Sequence, residues 1–535
     1  MAAGEPAKFR VLITDKLAQQ GIDLLKADPR FEVDVRLKLA GEDLKKALQE
    51  SDALIVRSET KAKADVLEGN TRLKVIARAG VGIDNVEVPV ATKNGILVMN
   101  APDSVTIAAA EQAMALMLAV ARNVAQACAS TKAGKWERSS FMGTELSGKT
   151  LGVIGMGRIG GEVVKRSVAF GMKVLVFDPM VNPDKVREYS AEPASLEEIY
   201  SKSDYISLHA PMTAETKGMI NKDTLARMKK GVRIINCSRG GAIVEADLAE
   251  AVKSGHVAGA GLDVFDKEPT SPDNPLLQLD KVTVAPHLGA STEEAQVNVA
   301  IIIAEQVRDY LVSGAVRNAV NVPATNPEIL KELGPWADLS NRMGRFLVQL
   351  FDGAPRKITI EFRGDIAKKN TGILVSSSVT GILSHAMEGR VNAVNALALA
   401  KSRGIEVSES KSSDTGDFAS SITMAIEGEK GRRSAEGTVM GHREPHIVAV
   451  DGLHLDVVPD GNMIAFTNTD KPGIVGKVGT IIGNAGMNIA SLHVGRIQQG
   501  KPAVAIFSVD GKVSPEVVRE LGGIAELSDV RIISI

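Results

Sequence analysis

The chain has 535 residues, with 63 Lys plus Arg against 65 Asp plus Glu and a formal net charge of −2. Near-neutrality excludes a global field that draws in nucleic acid or an anionic membrane, and at about 150 residues per domain the length implies roughly three to four domains. Hydrophobic residues make up 44%, charged residues 24% and aromatic residues only 3%, which excludes dominant disorder and base-stacking platforms and implies aliphatic cores.

The only cysteines are Cys128 and Cys237. They cannot build a disulfide framework or a cysteine-rich zinc site, so a reducing, cytoplasmic setting and no metal are expected. Residues 1–8 are polar and leave no room for a signal-peptide core, and the apolar run 108–121 contains Glu111 and Gln112 and is too short to span a bilayer.

In chain order, residues 9–100 alternate strand-like runs (10–14, 53–57, 75–77) with helical patterns such as 43–49, the rhythm of a parallel sheet. A helix over 106–123 follows, then a loop with Trp136-Glu137-Arg138. A second α/β unit begins near Gly148. Its six expected strands (151–154, 173–177, 205–208, 232–235, 261–264, 282–285) are continuous apolar runs, which implies a sheet covered on both faces. A helix over 292–312 leads to a linker at 318–327. Residues 328–459 read as an α+β region with helices near 341–349 and 391–402, strands near 358–362 and 447–450, and no motif that converts into chemistry. From 462 to 535 the order is βαββαβ, which is ferredoxin-like.

Gly155-Met156-Gly157-Arg158-Ile159-Gly160 lies between a strand and a helix. That context suits a dinucleotide: glycines allow the tight turn and close approach, and the helix N-terminus faces the pyrophosphate. Asp178, at the end of the next strand, can accept hydrogen bonds from the adenine ribose and repel a ribose phosphate, so NAD is expected rather than NADP.

Arg239, Glu268 and His287 each fall just past a strand end, where open α/β sheets bind ligands. A guanidinium can fork onto a carboxylate and polarise the neighbouring carbonyl. An imidazole can take a hydroxyl proton as hydride leaves the same carbon, provided an acid fixes its tautomer. Singly each residue has a plain structural reading; together they fit one hydride transfer.

With these motifs and with Asn236 to Gly241, Leu262 to Pro269 and Pro286 to Thr292, residues 8–323 resemble the D-2-hydroxyacid dehydrogenase family, in particular its long-form branch acting on 3-phosphoglycerate. The resemblance implies a Rossmann-type doubly wound cofactor domain (101–288) and a flavodoxin-like substrate lid (1–100 and 289–320). An intervening α+β domain (321–459) and a ferredoxin-like ACT domain (460–535) follow. It implies Arg239 on the substrate, Glu268 behind the histidine, and His287 as the proton acceptor. It brings Gly155, Gly157, Arg158, Ile159, Gly160, Asp178, Ala210, Cys237, Ser238, Arg239, Asp263, His287, Gly289 and Ala290 to the cofactor.

Arg57 and Arg78 end lid strands and can face the cleft, a pair suited to a dianionic phosphate. Gly80 to Gly82 can offer backbone donors. The resemblance adds Ser58 and Val81 to the substrate site, and Arg138 reaching into a neighbouring subunit of a homodimer or homotetramer. Some relatives follow that arginine with lysines, where this chain has Ser139-Ser140.

The ACT resemblance rests on Thr467 to Gly473 and Gly486 to Ala490, and implies L-serine as effector, held by Asn468, Asp470 and Asn488. The activity implied is NAD-dependent oxidation of 3-phosphoglycerate to 3-phosphohydroxypyruvate, the entry to serine synthesis. Two rivals stay open: a family member acting on an unphosphorylated acid such as glycerate or lactate, and a non-catalytic NAD-sensing protein like the family's corepressors. Arg57, Arg78, Asp178, Asp470 and Asn488 also read as ordinary loop or turn residues.

Overall fold

Aliphatic runs become four sheets in the computed structural model, which describes residues 8–323, 327–387, 389–441, 443–469, 471–496 and 502–535, with backbone alone at 327 and 502. The lid strands are β1 (Phe9–Ile13), β2 (Phe31–Val35), β3 (Ala53–Val56), β4 (Val75–Arg78) and β5 (Leu97–Asn100), all parallel in the order β2-β1-β3-β4-β5. That is the flavodoxin-like order. Every residue of β3 is buried, which explains its unbroken Ala-Leu-Ile-Val run. The chain leaves after Asn100 into the helix Thr106–Arg122. It returns through the helix Glu293–Ser313, whose Val299, Ile303, Ala304 and Val307 complete the lid core.

The second sheet holds β6 (Thr150–Ile154), β7 (Lys173–Phe177), β8 (Glu192–Pro193), β9 (Tyr205–Leu208), β10 (Val232–Asn236), β11 (Val257–Leu262) and β12 (Val282–Val284). They run parallel in the order β12-β11-β10-β9-β6-β7-β8, a doubly wound arrangement whose order reverses between β6 and β9. The seventh strand, β8, is a two-residue edge piece too short to leave a pattern. β11 begins four residues earlier than its sequence suggests. Its Val-Ala-Gly-Ala-Gly-Leu run is small because the helix Thr106–Arg122 lies on it: a Cβ on Gly261 would sit 3.0 Å from the Leu116 Cβ. Beyond that helix the chain bends by 65° at Asn123 into a second, wholly unburied helix, Val124–Lys132, where the sequence suggested a loop.

The intervening sheet comprises β13 (Pro355–Gly364), β14 (Glu406–Ser412), β15 (Ser420–Gly428), β16 (Gly431–Met440), β17 (Glu444–Val450) and β18 (Leu453–Val457), ordered β14-β13-β15-β16-β17-β18. Under it lie the helices Pro327–Leu350 and Gly372–Ala386. The second has poor helical propensity, rich in Ser, Gly and β-branched residues. Packing decides it: a Cβ on Gly381 would sit 2.1 Å from the Asn341 carbonyl, so only glycine lets the helices touch. The helix expected from 391 starts at Ala396, because Asn392 and Asn395 are bonded to the lid instead.

The last sheet, β19 (Asn462–Thr469), β20 (Ile489–Arg496), β21 (Pro502–Val509) and β22 (Leu527–Ser534), is antiparallel in the ferredoxin-like order β20-β21-β19-β22. Alternation splits its residues. Ile464, Phe466 and Phe507 pack with its own helices, whereas Met463, Ala465, Val504, Ile506 and Ile533 enter the core of the intervening domain beside Phe346. No single helix among the described residues is long and apolar enough to cross a membrane. The one pair that passes by length and composition is the bent Thr106–Arg122 and Val124–Lys132, and the first of these is packed into the cofactor-domain core.

A shared core makes the last two domains one unfolding unit. Ile506→Ala should cost about 2–5 kcal/mol and expose amides of β15 and β21 together in hydrogen exchange under urea. Independent opening of β21 would contradict the shared core.

Candidate active site

Parallel strands deliver their carboxyl ends to a common edge, and most of the singled-out residues lie there. Gly155 follows β6 with φ 92° and Gly157 caps the twelve-residue helix Arg158–Ala169, whose N-terminus carries no side-chain cap. A Cβ on Gly155 would come 2.7 Å from the Ala210 nitrogen, one on Gly160 2.1 Å from the Gly155 carbonyl, and Gly157 faces open space. The loop is thus closed on its inner side and open outward, with backbone N–H groups available to a pyrophosphate. Ile159 packs into the domain core, and Arg158 is ion-paired with Asp103 on the crossover from the lid.

Asp178 ends β7, with one oxygen accepting from the Met156 N–H at 2.7 Å and the other from the Met180 N–H at 2.8 Å. Each oxygen keeps a lone pair for a ribose hydroxyl. Beside it is a cleft of about 320 Å³ whose apolar walls are Val176, Phe177, Val181, Pro183, Val186, Pro193 and Ala194, with Ser195 and Glu198 also lining it. An uncapped helix N-terminus, a carboxylate and an apolar slot fit a dinucleotide. Beneath the loop, His209 bonds the Ser207 hydroxyl at 2.8 Å, and burial pushes it down to about 4, so it stays neutral.

His287 is held at both ends by one segment. Its Nδ1 meets Glu268 Oε2 at 2.7 Å, and Glu268 Oε1 accepts from the Phe265 N–H at 3.1 Å. Its backbone N–H donates to the Asp263 carbonyl at 2.8 Å, in the left-handed region at φ 57°. The fully buried Asp263 carboxylate accepts from the Leu288 and Gly289 N–H groups, each at 2.8 Å, and from Gln112 at 3.3 Å. With Nδ1 on the acid, Nε2 is the nitrogen left to take a proton. The imidazole is about half exposed, at 52%. Ala290 is fixed through its carbonyl by Gln296 at 2.7 Å.

Arg239 lies beyond β10. Its Nη1 donates to the Ser238 carbonyl at 2.8 Å, and buried Asn236 orders the turn by accepting from Ser238 and donating to the Arg239 carbonyl at 2.9 Å. Burial pushes the Cys237 thiol up, with the Asp263 charge adding to it, so Cys237 is an inert wall. Across the cleft, Arg239 reaches the lid loop: a Cβ on Gly82 would sit 2.4 Å from its Nη2, and Asp84 lies 3.7 Å from its Nε.

Arg78 ends β4 and folds over Gly80, and its Nε is buried without a partner. Burial first, then the charges of Arg239 and Arg57, push it down to about 10. Arg57 follows Val56, the partner of Arg78 across β3 and β4, and its Nη1 donates to the Lys16 carbonyl at 3.4 Å, so the two lid arginines stand at neighbouring strand ends. Asp15, which the sequence did not single out, orders the Arg57 turn: its buried carboxylate accepts from the N–H groups of Arg57, Glu59 and Thr60. Ser58 is exposed at this turn, and the Val81 carbonyl accepts from Asn100 at 2.6 Å. Asp15 sits just past a strand end, the one signal that could have found it, whereas Gln112 and His209 gave none; Asn236 opens the Asn236 to Gly241 motif that the sequence already offered.

Three assigned residues stand apart. Arg138 is exposed on a short 3-10 helix beyond Val124–Lys132, two residues after Trp136, which is 81% exposed. Asn468 is buried in β19 with its carbonyl oxygen unpartnered, and exposed Asn488 donates to Asp510 at 2.9 Å. Asp470 lies outside the described residues.

Family models match in series: D-isomer specific 2-hydroxyacid dehydrogenase, NAD binding domain, over residues 114–289; D-3-phosphoglycerate dehydrogenase intervening domain over 332–451; and ACT domain over 462–526. The D-3-phosphoglycerate dehydrogenase of Synechocystis sp. is 41% identical over 97% of this chain and 94% of its own. That of Bacillus subtilis is 38% identical over 98% and 100%. Among solved structures, the D-lactate dehydrogenase of Aquifex aeolicus complexed with NAD and lactic acid is 29% identical, covering 59% of this chain and 100% of its own, with a TM-score of 0.52.

The depressed Arg78 fixes the sign of a pH effect. Its charge is complete near neutrality and is lost as pH rises through about 10, so inorganic phosphate, titrated calorimetrically, should bind more weakly over that rise. The dependence should flatten in Arg78→Gln, and a wild-type affinity independent of pH would contradict the assignment.

Proposed function

This chain belongs to the D-3-phosphoglycerate dehydrogenase family, and on that premise we propose that it oxidises 3-phosphoglycerate to 3-phosphohydroxypyruvate at the cleft between lid and cofactor domain. The observation that carries this is the placing of three arginines at one edge of the cleft: Arg57 follows Val56, which pairs with Arg78 across β3 and β4, and Arg78 and Arg239 lie against Gly80 and Gly82 of one lid loop. An unphosphorylated hydroxy acid needs one guanidinium for its carboxylate, and the two lid arginines suit a phosphate.

Residues 1–100 and 289–320 act as the lid, 101–288 as the cofactor domain, 321–459 as the intervening domain and 460–535 as the effector-sensing domain. The Arg158–Ala169 helix N-terminus, with Ile159 and Gly160, holds the pyrophosphate, and Asp178 the ribose; Ala210, Cys237, Ser238, Asp263, Gly289 and Ala290 wall the cofactor. When bound, the nicotinamide takes the hydride. Arg239 grips the substrate carboxylate and polarises the forming carbonyl. His287 Nε2 accepts the hydroxyl proton, and the bond to Glu268 stabilises the resulting imidazolium. Gly80 and Val81, with Ser58, border the substrate.

The helix Val124–Lys132, which has no buried residue, and the exposed Trp136 and Met142 in the segment after it support pairing of two cofactor domains, with Arg138 entering the neighbour's cleft. Two unbridged cysteines, Cys128 exposed and Cys237 buried, fit a cytoplasmic setting. L-serine is the effector we assign to the ACT domain, with Asn468, Asp470 and Asn488 as ligands; the buried, unpartnered Asn468 oxygen is available to its ammonium group.

Initial rates with 3-phosphoglycerate and NAD test the activity. His287→Ala should lower kcat by about 10²–10⁴-fold while the Kd for NAD stays near wild type. Mixing His287→Ala with Arg138→Ala subunits should restore activity through hybrids, and failure to do so removes the role of Arg138 in the neighbouring site. Serine should raise the melting temperature of the wild type and not of Asn468→Ala; an equal shift in both sinks the assigned ligands.

A further inference from the structure

The arginine cleft carries one carboxylate whose placement serves no hydrogen bond. Asp84 of the lid loop lies 3.7 Å from Arg239 Nε, its side chain 81% exposed, and accepts no side-chain hydrogen bond among the described residues. Only its main-chain oxygen is held, by Lys63 at 2.9 Å. Asp15, the other acid near these arginines, is buried and tied down by three backbone N–H groups. Asp84 is free to move and Asp15 is not.

The pose of Arg239 does not depend on Asp84. Its Nη1 is anchored on the Ser238 carbonyl and its own carbonyl on Asn236, and 3.7 Å is beyond hydrogen-bond range. The contact is charge against charge and nothing more. Gly82 shows where it occurs: a Cβ there would meet Arg239 Nη2 at 2.4 Å and Asp84 Oδ2 at 2.9 Å. The carboxylate therefore stands on the side of the lid loop that Arg239 faces. Asp84 also acts on Arg78, opposing the downward push of Arg239 and Arg57.

We propose that Asp84 competes with entering anions for Arg239: it screens Arg239 in the free protein, is displaced when an anion enters, and returns as product leaves. It thereby sets how tightly the cleft holds anions. The name of the displaced anion rests on the functional reading above; the competition itself does not.

Asp84→Asn keeps the shape and removes the charge, and an exposed side chain leaves the fold intact, checked by circular dichroism; Asp84→Ser should behave alike. With inorganic phosphate as probe at low ionic strength, calorimetry should show binding about three- to tenfold tighter in Asp84→Asn. The gain should shrink in high salt. The KM for 3-phosphoglycerate should fall by a similar factor with no rise in kcat. Unchanged phosphate affinity, or no phosphate binding by either protein, overturns the proposal. Weaker binding in the variant also overturns it, by making Asp84 a positioning residue for Arg239. A wild type that binds phosphate and leaves 3-phosphoglycerate unoxidised refutes the functional reading instead, and the phosphate comparison still decides the role of Asp84.

Discussion

Three guanidinium groups repel one another, and this fold holds them together in a half-covered cleft. Arg78 bears most of that repulsion: burial first, then the charges of Arg239 and Arg57, push it down to about 10, and its Nε has no partner. Such a cluster is tolerable because each arginine is fixed at the end of a rigid element or by its own turn: Arg78 by β4, Arg57 by the Asp15 turn, Arg239 by the Asn236 turn. An entering polyanion offsets that repulsion. Asp84 relieves it in part beforehand.

Proton chemistry needs the opposite arrangement, one group in one orientation. A six-residue segment supplies it, with Asp263 gripping the backbone of the His287 loop and Glu268 its imidazole. Because the backbone at His287 is left-handed, the loop needs that grip to persist. The cleft thus combines a rigid acid-base pair on the cofactor domain with cations contributed mainly by the lid.

The intervening domain is tied to the far ends of the lid strands that serve this cleft. Arg390 donates to the Leu73 carbonyl at 2.6 Å just before β4, and Asn392 to the Gly95 carbonyl at 2.8 Å just before β5. Those strands end in Arg78 and Asn100, and Asn100 holds the Val81 carbonyl of the loop facing Arg239. Since the intervening and ACT domains share a core that includes Phe346 and Ile506, they meet the lid as one body.

Local signals determined much of this. Continuous aliphatic runs gave the parallel strands, the glycine loop before a helix gave the dinucleotide turn, and Arg239, Glu268 and His287 announced themselves by chemistry at strand ends. Where tertiary contact overrides local preference, the sequence was silent. β11 is built of glycine and alanine to fit under a helix, the helix Gly372–Ala386 exists because Gly344 and Gly381 let two helices touch, and Gln112 and Asp15 gain meaning only from partners 151 and 42 residues away. Residue types and their spacing determine which chemistry is available. Which charges face one another, and therefore the depressed Arg78 and the carboxylate opposite Arg239, was decided only by the folded chain, because electrostatic energy depends on distance in space and not on separation in sequence.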